Sequence, residues 1–111
     1  MRRHPRGATW HGLQLICKDD NGQLINLTGV QQIDMHMREK KDTTTPPAQA
    51  WSTTDNTILI ADAQAGKIII AGRIINVRPF NYVVDVRIIM PNSDVVYLPE
   101  RSWEIYSTVT R

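Results

Sequence analysis

The stretch Lys18-Asp19-Asp20-Asn21-Gly22-Gln23-Leu24-Ile25-Asn26-Leu27-Thr28-Gly29-Val30 sets the fold class. Asn-Gly is the dipeptide that tolerates φ > 0 at the centre of a tight hairpin turn. Before it, Leu13, Leu15 and Cys17 alternate with Gln14, Ile16 and Lys18, and a period of two is that of a strand. After it the chain returns at once through Leu24, Ile25 and Leu27, then breaks again at Thr28-Gly29. The stretch reads strand, tight turn, short return, corner, new strand.

The new strand, Gln31 to Arg38, alternates most cleanly of all, with Ile33, Met35 and Met37 expected inward and Gln32, Asp34, His36 and Arg38 outward. On that register Met35→Asp should prevent folding, while Asp34→Ala should be nearly silent. Strand signals resume at Thr57 to Ala61, turn through Asp62-Ala63-Gln64-Ala65-Gly66 and return at Lys67 to Ala71. Gly72 to Pro79 fits a strand continuation, a crossing loop or one helical turn equally well. Asn81 to Ile89 alternates again, Pro91-Asn92-Ser93-Asp94 is a turn, and Val95 to Leu98 and Ser102 to Val109 complete the chain.

About seven short strands with turn signals every 8 to 12 residues or so predict an all-β protein, an immunoglobulin-like antiparallel sandwich. Its core should include Leu13, Leu15, Ile33, Met35, Met37, Ile68, Ile70, Val84, Val86, Ile88, Trp103 and Ile105. Cys17 is the only cysteine, so the sandwich has no internal disulfide, and its place in an apolar strand pattern predicts a small buried hydrophobe.

Two segments stand apart. Lys40 to Asn56 contains Pro46-Pro47 and no periodicity, a long connection expected to be functional or mobile. Trp51 in its midst either folds back on the core or is presented as an anchor. Residues 1–6 form a basic arm with Arg2, Arg3 and Arg6, expected to be disordered unless tied down, and residues 7–111 form the single domain. Net charge is +2, but without those three arginines ten basic residues face eleven acidic ones, a net of −1. The excess charge lies in the arm, which is not the footprint of a nucleic-acid-binding face. With 41% apolar and 22% charged residues, no long apolar run and no apolar region behind the basic start, the sequence predicts a soluble protein without a secretory signal.

Chemistry is expected nowhere. Setting Gly22 as the glycine of a calcium loop puts Cys17 and Thr28 where acidic ligands are required. His4, His11 and His36 lack metal-site spacing. Ser52, Ser93, Ser102 and Ser107 lack a nucleophile elbow, and no glycine-rich phosphate loop is present. Asp85 and Glu104 could face each other across a sheet, though strand exteriors carry such residues for solubility. The expectation is no catalytic residue, no cofactor, no metal and no small-molecule substrate.

The order of these signals resembles a family of bacteriophage virion domains, including the immunoglobulin-like N-terminal domain of baseplate upper proteins and related small tail and neck proteins. The residues that carry it are Gly7-Ala8-Thr9-Trp10, Lys18 to Gly22, the corner Asn26-Leu27-Thr28-Gly29, Met35-His36-Met37-Arg38, Asp62 to Ile68 and Tyr82-Val83-Val84-Asp85-Val86. Family members commonly have Asp at the position of Asn26 and a helical, alanine-rich crossover at Gly72 to Pro79. The resemblance implies a non-enzymatic structural part of a virion, made in the host cytoplasm, which contacts copies of itself and other virion proteins. Arg2, Arg3, Arg6, Lys40, Lys41 and Trp51 are the expected assembly-interface residues, with the arm lying on a neighbouring subunit. The alternatives are a carbohydrate- or receptor-binding sandwich that stacks ligand on Trp51 with Tyr97 or Tyr106, and a capsid-surface decoration protein.

Overall fold

Buried and half-buried residues alternate from Tyr82 onward in Phe80–Ile89, and that strand stands at the centre of the larger sheet. The computed structural model describes residues 2–39 and 46–107. In chain order the strands are β1 (Arg2–Pro5), β2 (Thr9–Trp10), β3 (Leu13–Ile16), β4 (Gln32–Glu39), β5 (Gln49–Ser52), β6 (Ile58–Asp62), β7 (Lys67–Ile70), β8 (Arg73–Ile74), β9 (Phe80–Ile89), β10 (Val95–Tyr97) and β11 (Arg101–Tyr106). A 3-10 turn, Thr53–Asp55, links β5 to β6, and no α-helix occurs among the described residues. The protein is all-β. Each of the seven expected strands has a counterpart.

The strands form a six-stranded sheet of order β1-β11-β9-β4-β5, in which β10 also pairs with β9, a three-stranded sheet β3-β7-β6 and a two-stranded sheet β2-β8. Ile33, Met35 and Met37 of β4 lie opposite Ile88, Val86 and Val84 of β9, so one face of the large sheet is a continuous apolar surface. Trp10 of β2 reaches that surface. Its ring centroid lies 5.4 Å from Trp51 and 5.1 Å from Trp103, both edge-to-face, the arrangement that brings a positive ring edge onto a negative ring face. One core cluster therefore draws on all three sheets, with Ile58, Ile68 and Ile70 from the three-stranded one. Each such side chain, removed from water, contributes about 1.5–3 kcal/mol.

The two small sheets are one ribbon broken at a pair of glycines. A Cβ on Gly12 would stand 2.4 Å from the Ile70 carbonyl oxygen, and one on Gly72 would stand 2.4 Å from that of Trp10. Only residues without side chains let the two backbones touch here. The break turns β2 and β8 away from β3 and β7 and delivers Trp10 and Ile75 into the core. Gly72 to Pro79 thus resolves into the short strand β8 and a loop that buries Ile75.

Within the opening hairpin, Asn21-Gly22 turns the chain with φ 78° at Gly22, and Lys18 bridges to Leu24. Asn26 caps the corner by accepting the Thr28 amide at 2.9 Å. Ile25 and Leu27 are buried, as is Cys17. Of the expected core, Leu13 and Leu15 are only half-buried; the other ten positions are buried.

The structure corrects the reading at several points. Arg2–Pro5 of the arm form the edge strand β1, which runs parallel to β11 in the larger sheet. Its residues carry nothing apolar to announce a strand; the backbone edge of β11 recruits them. Residues 49–52 of the supposed connection form β5, paired with Met35 and its neighbours on β4. Asp34 lies on the outer face of β4, as alternation requires, but is buried there.

Candidate interaction surfaces

The expected contact residues separate. Arg2 lies on β1 opposite Trp103 in register. Arg3 pairs through Nε with Glu104 Oε1 at 3.1 Å, its guanidinium 4.5 Å above the Tyr106 ring, and the Arg6 amide donates to the Tyr106 carbonyl at 2.9 Å. These contacts tie Arg3 and Arg6 to their own domain. Lys40 and Lys41 fall outside the described residues. Trp51 is buried in the core, where its Nε1 donates to the Ala71 carbonyl at 3.0 Å and the Arg73 guanidinium sits 4.2 Å over its ring. Trp51 offers no surface to a subunit or a sugar.

The outer face of the large sheet carries polar side chains in cross-strand rows. Ser52, Asp34, Arg87 and Tyr97 stand side by side on β5, β4, β9 and β10. Asp34 is 4% exposed and accepts hydrogen bonds from Ser52 Oγ at 2.6 Å, Gln32 Nε2 at 2.8 Å and Arg87 Nη2 at 2.5 Å. Burial alone would raise its carboxyl. The bonds from Ser52, Arg87 and Gln32, with the Arg87 charge, outweigh burial and hold it below the ordinary carboxylate value. In the next row His36 faces Asp85. Burial and the neighbouring charge of Arg38 keep its imidazole below the usual histidine value, while Arg38 Nη2 lies 3.2 Å from Nδ1. Ser52 meets the carboxylate directly, with no imidazole between, so the row has the geometry of a structural ion pair. Glu104 stands opposite Asn81, not Asp85.

The Asp19 carboxylate is spent on its own turn. Its Oδ1 accepts the amides of Asn21 at 2.9 Å and Gln23 at 3.0 Å, which is the geometry of an Asx turn.

A groove of about 750 Å³ runs where the three-stranded sheet stops at β3 while the larger sheet continues through β11. Leu13, Leu15, Leu98 and Trp103 line it, with Lys18, Asp19, Glu100 and Arg101 among its polar residues. Met35, Val84 and Val86 also line it and, like Trp103, belong to the core, so the groove reaches the edge of the core between the sheets.

No family model matches the sequence, and no curated protein does.

The three-stranded sheet presents the opposite chemistry to the polar outer face. Ile16, Leu59 and Ile69 are exposed on its outer side, with Leu24 and Ile74 exposed nearby along the chain. Leu59 and Ile69 are direct cross-strand partners, and Ile16 reaches Ile69 diagonally across β3 and β7. Period-two alternation could not foretell this set, because Ile-Leu-Ile and Ile-Ile-Ile runs place apolar residues on both faces at once.

Proposed function

We propose that the chain is a non-enzymatic contact module whose working surface is the apolar outer side of the three-stranded sheet, and that it serves as a structural component of a bacteriophage tail, baseplate or neck. The observation that carries the contact role is the group Ile16, Leu59 and Ile69, large apolar side chains left in water on one sheet face. Large apolar side chains grouped on one exposed face, here interspersed with Gln14 and Lys67, mark a site of association. The virion assignment rests on the sequence resemblance, whose quoted strands and corner fall on β2, β4, β9 and the Asn26 turn. Its partners on this reading are copies of itself and other virion proteins.

The immunoglobulin-like part of the proposal is supported by apolar sheet faces that share one core. The pairing order has its own character. An immunoglobulin sandwich sets its second strand between the first and the fifth; here β3 pairs directly with β7, while β4 lies in the larger sheet between β5 and β9.

The carbohydrate alternative loses its named anchor with the burial of Trp51 and keeps only Tyr97 as a well-exposed ring. Electron microscopy of the concentrated protein separates the two readings. A closed ring or another ordered oligomer supports the structural role. A protein that stays monomeric and binds a glycan array, with binding lost on Tyr97→Ala, overturns it.

A further inference from the structure

β6 is the outermost strand of the three-stranded sheet, and its sequence is Ile58-Leu59-Ile60-Ala61-Asp62. Natural edge strands are protected by proline, by lysine, by an inward-pointing charge or by a bulge. β6 has neither proline nor lysine, and its one charge and its register shift both lie at the Ala61-Asp62 end. Among the described residues no strand pairs with the outer edge of Ile58 to Ile60, which is left as an apolar edge.

Both faces of this edge are unfinished. Leu59, 53% exposed, points outward beside Ile69, while Ile60, opposite the buried Ile68 on the core side, is still 39% exposed. A partner laid on the outer face would cover Leu59 and leave Ile60 wet. Only a strand added in line covers both.

The direction of the backbone groups follows from the pairing. The Ala71 amide donates to the Thr57 carbonyl, which fixes the phase of the ladder although the Thr57 N–H itself goes to the Ser52 carbonyl; two residues on, Leu59 turns its N–H and C=O groups toward β7. Ile58 and Ile60 therefore direct theirs to the free edge. We propose that two copies of the chain pair antiparallel through β6, about a two-fold axis at Leu59. This inference rests on the contact role proposed above and names the surface and the partner.

In that register Ile58 of one copy and Ile60 of the other form reciprocal N–H···O=C pairs on either side of the axis. Leu59 meets Leu59 of the second copy as the close, non-hydrogen-bonded pair on the outer face. The core side continues as Ile60 beside Ile58, and Asp62 falls opposite Asn56, so no like charges meet. A second copy suits the edge because its own Ile-Leu-Ile supplies apolar side chains to both faces at once. Five residues of edge bury far less than the roughly 800 Å² per partner of a standard interface, so the contact is weak alone and gains strength where copies repeat.

The register gives a covalent test. Residues in a non-hydrogen-bonded antiparallel pair have Cα atoms about 4.5 Å apart, within the range a disulfide bridges. Cys17 is buried and does not compete. Under mild oxidation of the concentrated full chain, Leu59→Cys should give a disulfide-linked dimer, and Ala61→Cys, which faces Thr57 of the other copy, should give little. Equal cross-linking of the two variants, or none from Leu59→Cys, overturns the proposal. If Leu59→Cys fails while the wild-type protein still associates with rising concentration, the β6 pairing is wrong and the contact role stands. If the wild-type protein never associates with itself or another protein, both fall.

Discussion

Asp34→Ala should destabilise the protein by about 2–3 kcal/mol, although the position lies on the alternating, outward side of β4. Three donors converge on the carboxylate, and two have other outlets. Ser52 Oγ lies 3.0 Å from the Thr54 hydroxyl, whose oxygen can take the Ser52 proton once both hydroxyls turn, and Gln32 is only half-buried. Arg87 loses its ion pair. Stranding one member of a sealed pair costs about 3–5 kcal/mol, but the Arg87 side chain is 36% exposed and can reach water, which lowers the figure. A loss of this size lowers the melting temperature by about 10–20 °C in a domain of this length.

The effect depends on pH in one direction. The folded carboxyl titrates below the ordinary aspartate value of about 3.9, so its stabilisation is present above that pH. It disappears as pH falls from there through the folded value. Urea unfolding of the wild type and Asp34→Ala at neutral pH should show the full gap, and the gap should close in acid. In a double-mutant cycle, Arg87→Met should recover part of the loss by removing the stranded charge. A change under about 0.5 kcal/mol at neutral pH, the size of an ordinary surface substitution, would refute the reasoning.

Trp51→Ala should cost about 3–5 kcal/mol in urea unfolding, as for a large core aromatic; native stability with lost association would instead restore the residue to the surface. Gly72→Ala forces a Cβ against the Trp10 carbonyl and should cost at least about 1–3 kcal/mol, readable as a lowered melting temperature, while an unchanged value would mean the ribbon does not close there. Burial pushes the Cys17 thiol up to about 11, so a thiol reagent at mildly alkaline pH should react only as fast as the protein opens; rapid labelling of the native chain would contradict its place in the core.

What could be read in advance was whatever local alternation controls. β4, β9 and β11 lie close to where their period-two patterns put them, and Asn21-Gly22 turns as its chemistry requires. The failures share a physical origin in long-range pairing. β5 hides in a threonine- and proline-rich segment because its strand character comes from the waiting edge of β4 and from the core space that Trp51 fills. β1 is recruited in the same way by the edge of β11. Alternation puts Asp34 on the outer face but does not tell whether that face is covered; its cover comes from Ser52, Gln32 and Arg87, two of them far away in sequence. For the contact surface the signal was visible in Ile58 to Ile60 and Ile68 to Ile70 as apolar runs with no polar face. Their meaning depended on knowing which face was already covered.

The most direct test of the contact role is sedimentation velocity across a broad concentration series, run in parallel on the wild type and on Leu59→Lys, a substitution at an exposed position. The wild-type sedimentation coefficient should rise with concentration, while the variant, equally stable in urea, should remain a monomer throughout. Identical, concentration-independent sedimentation of both proteins would contradict the account.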